Sequence, residues 1–193
     1  MQTKNVMIVG VGGQGSLLAS KLLGKLLIEQ GYDVKVSEVH GMSQRGGSVV
    51  TYVRFGEKVY SPLICEGEAD YLISFEKLEA ARYAPCLKKG GRIVTNTQQI
   101  DPMPVIVGKA EYPEAVLAEL ENKGVRVDAI DALSLAQKAG SSKAVNIVLL
   151  GHLARSFEGI SKEAWIKAIE ETVAPRFIAL NLEAFRLGYE YEA

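Results

Sequence analysis

The 193-residue sequence is poor in the residues that hold metals and clusters. It contains only two cysteines and two histidines. Cys65 and Cys86 are 21 positions apart, a spacing that fits neither a CxxC redox motif nor a paired zinc knuckle. Because an iron–sulfur cluster requires several thiolates, we do not expect this chain to hold one alone. His40 and His152 lack a carboxylate at ligand spacing, so we predict no metal site.

Long apolar runs and an excess of charge are also absent. No apolar segment approaches the roughly 20 residues of a membrane-spanning helix, and the N-terminal sequence MQTKNVMIVGVGG lacks the apolar region and cleavage site of a signal peptide. We therefore expect a cytoplasmic protein. A formal net charge of −1 gives no reason to expect capture of nucleic acid. With 48% hydrophobic and 23% charged residues, the chain is typical of a globular protein, and we predict a single domain over 1–193.

The first forty residues predict strand, loop, helix and strand. Residues 5–9 (NVMIV) form a short apolar run, and residues 16–30 place Leu18, Leu22 and Leu26 on one helical row. Residues 34–39 (VKVSEV) predict the second strand. This order favours a right-handed crossover to a parallel neighbouring strand.

The following segment departs from a plain dinucleotide-binding fold. Residues 40–47 (HGMSQRGG) contain three glycines and cannot sustain the expected helix. Residues 48–55 predict a strand, and Gly56-Glu57 predicts a tight hairpin turn into 58–64. Further strands are predicted at 69–75, 91–96 and 125–130, helices at 76–87 and 113–124, and helices throughout the region after Asp131. We predict a three-layer α/β/α fold: a Rossmann-like mixed sheet with an inserted β-hairpin and a helical C-terminal third.

The segment GVGGQG at 10–15 matches GxGxxG between a strand and a helix. Because glycines allow a tight turn and the first amides of the helix point outward, this context favours a phosphate or another anion. The alternative is that the glycines only allow close packing of helix on strand. A further possibility is NAD binding, with Glu38 contacting a ribose. The missing helix after the second strand and the lack of a hydride-transfer constellation argue against it.

A second glycine loop carries several polar side chains. Arg45 offers a planar fork suited to phosphate or carboxylate, and the flanking glycines could form a backbone nest. The alternative is a structural turn whose arginine pairs with a surface acid, and a lone histidine such as His40 is usually structural. No residue is predicted to be catalytic. The candidate ligand-binding residues of the two loops are Gly10, Gly12, Gly13, Gln14, Gly15, Ser16, His40, Gly41, Ser43, Gln44, Arg45, Gly46 and Gly47.

Other polar residues on predicted helices receive structural interpretations. Glu76, Glu79 and Arg82 predict a solvated helix face. Asn146 and His152, on a largely apolar helix, are expected to satisfy local hydrogen bonds. The aromatic residues of the C-terminal helices, for which core or subunit packing is expected, are Trp165, Phe177 and Phe185.

Three segments together resemble the gamma-type subunit of the 2-oxoacid:ferredoxin oxidoreductases. They are GVGGQG at 10–15, SEVHGMSQRGGSVVTYVRFG at 37–56 and YSPLICEGEADYLISFEKLEAAR at 60–82, and the helical tail adds NLEAFRLG. The resemblance covers almost the whole chain. The form HGMSQRGG favours the indolepyruvate branch over the pyruvate and 2-oxoglutarate branches.

The resemblance implies a reaction and a partner. An aryl pyruvate would be decarboxylated oxidatively on thiamine diphosphate and transferred to coenzyme A, and electrons would pass through iron–sulfur clusters to ferredoxin. A companion alpha subunit, in a heterodimer or heterotetramer, would carry the thiamine diphosphate and the [4Fe-4S] clusters. This chain would bind no cofactor alone, would be inactive alone, and could share coenzyme A with its partner through the two glycine loops. The competing hypothesis is a stand-alone NAD(P)- or nucleotide-binding Rossmann-like protein.

Overall fold

The computed structural model describes residues 3–39 and 47–192, and these are organised around a six-stranded mixed sheet. The order across the sheet is β2-β3-β1-β4-β5-β6. Neighbours in the series β1, β4, β5 and β6 are parallel, whereas β3 is antiparallel to both β1 and β2. The strands are β1 (Lys4–Val11), β2 (Asp33–Val39), β3 (Ser48–Gly56), β4 (Ala69–Ser74), β5 (Leu87–Asn96) and β6 (Arg126–Ile130).

The same residues contain eight α-helices, and helix layers cover both faces of the sheet. Alternation along β1 directs Val6 and Ile8 to one face and Met7 and Val9 to the other. The first face packs against α1 and the C-terminal helices, and the second against α2 and α4, which confirms the predicted three-layer fold. No helix in the described ranges is long and apolar enough to cross a membrane. The helices are α1 (Ser16–Glu29), α2 (Lys77–Tyr83), α3 (Met103–Ile106), α4 (Val116–Asn122), α5 (Ala132–Lys138), α6 (Val145–Ala154), α7 (Lys162–Thr172) and α8 (Ile178–Glu190).

The position of β2 in the sheet differs from the prediction. β3 lies between β1 and β2, pairing with each along its length. β2 therefore runs in the same direction as β1, as predicted, but is not its neighbour; it forms one edge of the sheet. The crossover from β1 to β2 skips one strand position, and β3 occupies that position.

The hairpin of this fold is formed by β2 and β3, and the predicted turn at Gly56-Glu57 is wrong. Residues 58–64 are not a strand. The amide of Val59 donates to Asp33 Oδ2 (3.0 Å) rather than to a ladder, and Tyr60 is 89% exposed. Apolar alternation in this segment suggested a strand, but Pro62 cannot donate to a ladder, and β1 already occupies the free side of β3.

The C-terminal third is helical, as predicted, and two of its helices touch through their main chains. All ten residues of α6 are buried, and α8 lies across it. A Cβ placed on Gly188 would lie 1.9 Å from the carbonyl oxygen of Val148, and one on Gly151 would lie 2.3 Å from that of Phe185. Side chains are therefore excluded from this contact. Among the aromatic residues, Trp165 and Phe185 are buried, whereas Phe177 is 45% exposed.

Candidate functional site at the carboxyl edge of the sheet

The first glycine loop, residues 12–15, connects β1 to α1. Gly13 and Gly15 have φ angles of +100° and +86°, in the left-handed region that favours glycine. Gly15 is the N-cap of α1 and supplies no side-chain cap. The amides of Ser16 and Leu17, at the start of the helix, have no acceptor within it. A Cβ on Gly13 would meet no atom within 4 Å, so the main chain of the loop is open at that point.

Gln14 holds this loop in shape from inside. Its Oε1 accepts a hydrogen bond from the amide of Val11 (2.8 Å), and its Nε2 donates to the carbonyl of Phe75 (3.1 Å). A Cβ on Gly10 would lie 2.8 Å from Gln14 Oε1 and 3.0 Å from Phe75 Cβ. Gly10 therefore leaves room for the Gln14 side chain. These two candidate residues contact the protein itself, while Gly12, Gly13, Gly15 and Ser16 line a cavity.

The two glycine loops meet at a main-chain hydrogen bond. The amide of Gly12 donates to the carbonyl of Gly47 (2.9 Å), because the β1–β3 register places Ser48 opposite Val11. A cavity of about 250 Å³ lies at this junction, lined also by Leu17 and by Val39, Val49 and Thr51 of β2 and β3. The candidates His40, Gly41, Ser43, Gln44, Arg45 and Gly46 lie outside the described residues, between Val39 and Gly47.

The end of the second loop is fixed to α2 through a buried carboxylate. Ser48 Oγ donates to Glu79 Oε2 and lies 3.3 Å from the Tyr83 hydroxyl. Arg82 Nε donates to Glu79 Oε1 (3.1 Å), and Glu79 is only 5% exposed. The first residue of β3 is thereby held from the opposite side of the sheet to α1.

Glu76 is likewise buried, so the predicted solvated face is wrong for both glutamates. Glu76 is 1% exposed. Its carboxylate caps α2 by accepting from the amide of Glu79 (3.0 Å), and it also accepts from the amide of Ile100 (3.2 Å) and from the Tyr112 hydroxyl. Burial and this hydrogen bond to Glu76 raise the pKa of Tyr112. Helical periodicity identified the polar side of α2, but it could not show that a distant tyrosine covers it.

Asn146 reaches the first loop from α6. Its Nδ2 donates to the carbonyl of Gly15 (3.0 Å), across 131 positions of sequence. A Cβ on Gly15 would lie 2.7 Å from Asn146 Nδ2. The expected local hydrogen bond is present, since Asn146 Oδ1 accepts from the amide of Ile147 (2.9 Å), but the expectation missed this contact with the candidate site. A lone asparagine in an apolar helix was the available signal, because a buried amide must find a partner somewhere. His152 is also bonded at long range, to Asp128 (3.3 Å).

Glu38 does not occupy the position that NAD binding requires. Its Oε1 accepts from Ser20 Oγ (2.7 Å) on α1. Because β3 separates β2 from β1, Glu38 lies one strand further from the first loop than in a dinucleotide-binding fold. The NAD hypothesis thereby loses the residue on which it rested. Within 3–39 and 47–192, no group of three or more His, Cys, Asp or Glu side chains is placed to hold a metal ion.

Comparison with known proteins decides the family. Residues 5–191 match the family model described as pyruvate ferredoxin/flavodoxin oxidoreductase. The chain belongs to this family. A curated relative in the family, the indolepyruvate oxidoreductase subunit IorB of Thermococcus kodakarensis, is 46% identical over 195 residues, which cover 97% of this chain and 95% of that protein. The resemblance predicted from the glycine loops is confirmed.

Solved structures show how widely this fold occurs. The gamma subunit of a keto/oxoacid ferredoxin oxidoreductase from Geobacter sulfurreducens superposes with a TM-score of 0.76 at 23% identity, over 98% of this chain and 96% of that one. A 2-oxoglutarate:ferredoxin oxidoreductase chain from Magnetococcus marinus superposes with a TM-score of 0.73 at 20% identity, over 97% of this chain but 30% of that one. The fold therefore occurs both as a chain of this length and as part of a longer chain.

Proposed function

We propose that this chain is the non-catalytic subunit of a 2-oxoacid:ferredoxin oxidoreductase of the indolepyruvate type. In that reaction an aryl pyruvate, coenzyme A and oxidised ferredoxin give aryl-acetyl-CoA, CO₂ and reduced ferredoxin. The supporting comparison is the 46% identity, along nearly the whole chain, to a relative named as an indolepyruvate oxidoreductase subunit. The proposal includes a single functional domain over 1–193 and a cytoplasmic location.

The proposal assigns the redox cofactors to a larger partner subunit. Thiamine diphosphate and [4Fe-4S] clusters would be held there, and this chain would contribute a binding surface at the partner's active site. The longer Magnetococcus chain supports such an arrangement, because this fold accounts for only 30% of it. We infer that the chain alone has no activity and that its two glycine loops face the partner.

The observation that carries the proposal is the junction between the loops. The Gly12–Gly47 hydrogen bond (2.9 Å) fixes the end of the second loop beside the open main chain of Gly13 and the start of α1. Amides at a helix start bind phosphate, and the helix dipole adds to this attraction. We infer that the loops bind phosphate groups of coenzyme A and that Arg45 is their cationic contact.

Co-purification of the native protein tests the assembly. We expect recovery with a larger subunit that contains thiamine diphosphate and iron–sulfur clusters, and indolepyruvate-dependent reduction of ferredoxin by the pair. A chain that purifies alone from its own cells and binds NAD tightly would contradict the proposal.

The role of the loops is tested in the assembled enzyme. Arg45→Ala is expected to raise the KM for coenzyme A about tenfold, since a guanidinium–phosphate contact contributes on the order of 1.4 kcal/mol, and to leave the KM for indolepyruvate nearly unchanged. Lys21→Ala, an exposed cation on α1 outside the junction, is the matched control. Normal assembly with an unchanged KM for coenzyme A would remove Arg45 from the site.

A further inference from the structure

A second cavity, with a polar lining, lies at the amino ends of the parallel strands, whereas the glycine loops lie at their carboxyl ends. Its volume is about 390 Å³. It is bordered by residues at the amino ends of the parallel strands, including Lys4 on β1, Lys88 on β5 and Arg126 on β6. Since β1 is eight residues long, the two sites are separated by on the order of 20 Å. The cavity therefore belongs to a different part of the surface.

The lining of this cavity is strongly cationic, although the whole chain has a net charge of −1. Two carboxylates, Asp70 and Glu158, line it as well. They leave an excess of positive charge, which in a concave surface attracts anions. The lining cations are Lys4, Lys88, Arg92, Arg126 and Arg155.

A buried aspartate positions the two lysines. Asp70 is 5% exposed and accepts a hydrogen bond from the amide of Asn5 (2.8 Å). Lys4 Nζ lies 3.4 Å from its Oδ1, and Lys88 Nζ is bonded to the same oxygen. A buried carboxylate is costly unless it is paired and hydrogen-bonded. Asp70 meets this requirement by orienting both ammonium groups at the cavity.

Two of the three arginines, Arg92 and Arg155, donate to uncharged acceptors. Arg92 NH1 donates to Ser156 Oγ (2.8 Å), although its Nε also lies 3.5 Å from Asp128. Arg155 NH1 donates to the carbonyl of Tyr191 (2.6 Å). In the described part of the chain, neither Arg155 nor Arg126 has a carboxylate within ion-pair distance. Arg126 interacts electrostatically with Asp128 at longer range, but within the described ranges neither guanidinium is held in an ion pair, so both can contact a ligand.

The main chain of β5 also opens towards this cavity. Gly90 has a φ of +80°, and a Cβ on it would meet nothing within 4 Å. A Cβ on Gly91 would lie 2.8 Å from Leu87 Cγ and 3.0 Å from the carbonyl of Ala69, where the β4–β5 register shifts. Gly91 is therefore crowded, and the open backbone in KKGGR at 88–92 lies at Gly90, which lines the cavity between cationic side chains as in an oxyanion site.

We propose that this cavity binds the diphosphate group of a small molecule. The positioned lysines, the two arginines that form no ion pair within the described residues, and the open backbone at Gly90 together suit adjacent phosphates. A neighbouring cavity of about 240 Å³ shares Lys4, Tyr71, Ser156 and Glu158 with it and is otherwise apolar, with Tyr32, Phe55, Phe157 and Ile160. That neighbour offers a place for a planar ring attached to the diphosphate. This inference is independent of the function proposed for the glycine loops.

The test uses the full chain at low ionic strength, with inorganic pyrophosphate and ADP as probes. Isothermal titration calorimetry measures affinity, and amide chemical shifts locate the ligand. We expect the largest shifts at Gly90, Gly91 and Arg126. Arg126→Ala is expected to weaken pyrophosphate binding about five- to tenfold, and Arg126→Glu more. Lys89→Ala removes an exposed cation from the adjacent position in sequence that does not line the cavity; it should change affinity less than twofold.

The outcomes separate the sources of the diphosphate from failure of the site. Tighter binding of ADP than of pyrophosphate would support a nucleotide, with its ring in the aromatic cavity, and equal binding would support a free polyphosphate. The proposal would be overturned if amide chemical-shift changes were confined to residues 12–16. It would also be overturned if Arg126→Ala and Lys89→Ala weakened pyrophosphate binding equally. A melting curve for each variant verifies that the fold is intact.

Discussion

Glycine serves opposite purposes in the contact between α6 and α8 and in the first glycine loop. Between α6 and α8, Gly188 would place a Cβ only 1.9 Å from the carbonyl of Val148, so it is there because no side chain fits. In the first loop, Gly13 would place a Cβ in open space, but its φ is +100°. It is there because the main chain adopts a conformation that other residues resist. Gly15 combines both constraints, with a φ of +86° and Asn146 Nδ2 at 2.7 Å.

This comparison distinguishes two reasons why a position requires glycine: close packing and an unusual backbone conformation. A clash with main chain in a helix contact cannot be relieved by a rotamer change, because both helices must move apart. A positive φ costs a roughly fixed amount, about 1–2 kcal/mol for a residue with a Cβ. Alanine substitutions should therefore rank as Gly188, then Gly15, then Gly13.

Gly188→Ala is expected to have the largest effect. Separation of α6 from α8 should lower the free energy of unfolding by at least about 3 kcal/mol, measured by chemical denaturation of the full chain. Gly24→Ala is the control, because Gly24 also lies inside a helix but its Cβ would meet only Val36 Cγ2, at 3.4 Å. That control should change stability by less than about 1 kcal/mol. Equal losses in the two variants would show that helix contact does not explain Gly188.

Gly15→Ala should have an intermediate effect, about 2–3 kcal/mol, from its positive φ and from loss of the Asn146 hydrogen bond. A double-mutant cycle with Asn146→Ala separates these causes. Because the second change removes the clashing amide, the combined loss should be smaller than the sum of the single losses by about 1 kcal/mol. Additive losses would mean that Asn146 does not restrict the Gly15 position.

Gly13→Ala should have the smallest effect on stability, about 1 kcal/mol, because only the φ angle opposes it. Gly13→Asn should cost less, since asparagine tolerates the left-handed region. Because Gly13 lines the cavity at the loop junction, the added methyl is expected to raise the KM for coenzyme A in the assembled enzyme despite near-normal stability. A normal KM would place the ligand elsewhere.

Most of the architecture could be predicted because it follows from short-range patterns. The apolar run of β1, the helical row of Leu22 and Leu26, and the long C-terminal helices are visible in spacing alone. The arrangement of strands was harder. Whether β3 pairs with β1 or with a following segment depends on which partner buries more surface, and the sequence of 48–64 permits both.

The sequence predicts the loops of the candidate site but not the distant side chains that hold those loops in place. GxGxxG indicates where a tight turn begins, since its glycines lie within six consecutive positions, at 10–15. The residues that support these loops and their surroundings come from distant positions in sequence: Asn146, Glu79 and Glu76. The sequence pattern predicts only that each is an ordinary polar residue of a helix. A single sequence carries no signal that joins Gly15 to Asn146, because their contact depends on how α6 packs against α1.

The hydrogen bond between Gly12 and Gly47 has an evolutionary consequence. It uses main-chain atoms only, so side-chain substitution cannot delete it, and only proline at position 12 would remove the donor. Side-chain substitutions within the second loop therefore do not disturb the point where that loop joins β3. Selection can exchange the side chains between Val39 and Gly47, and with them ligand preference, without having to rebuild the scaffold.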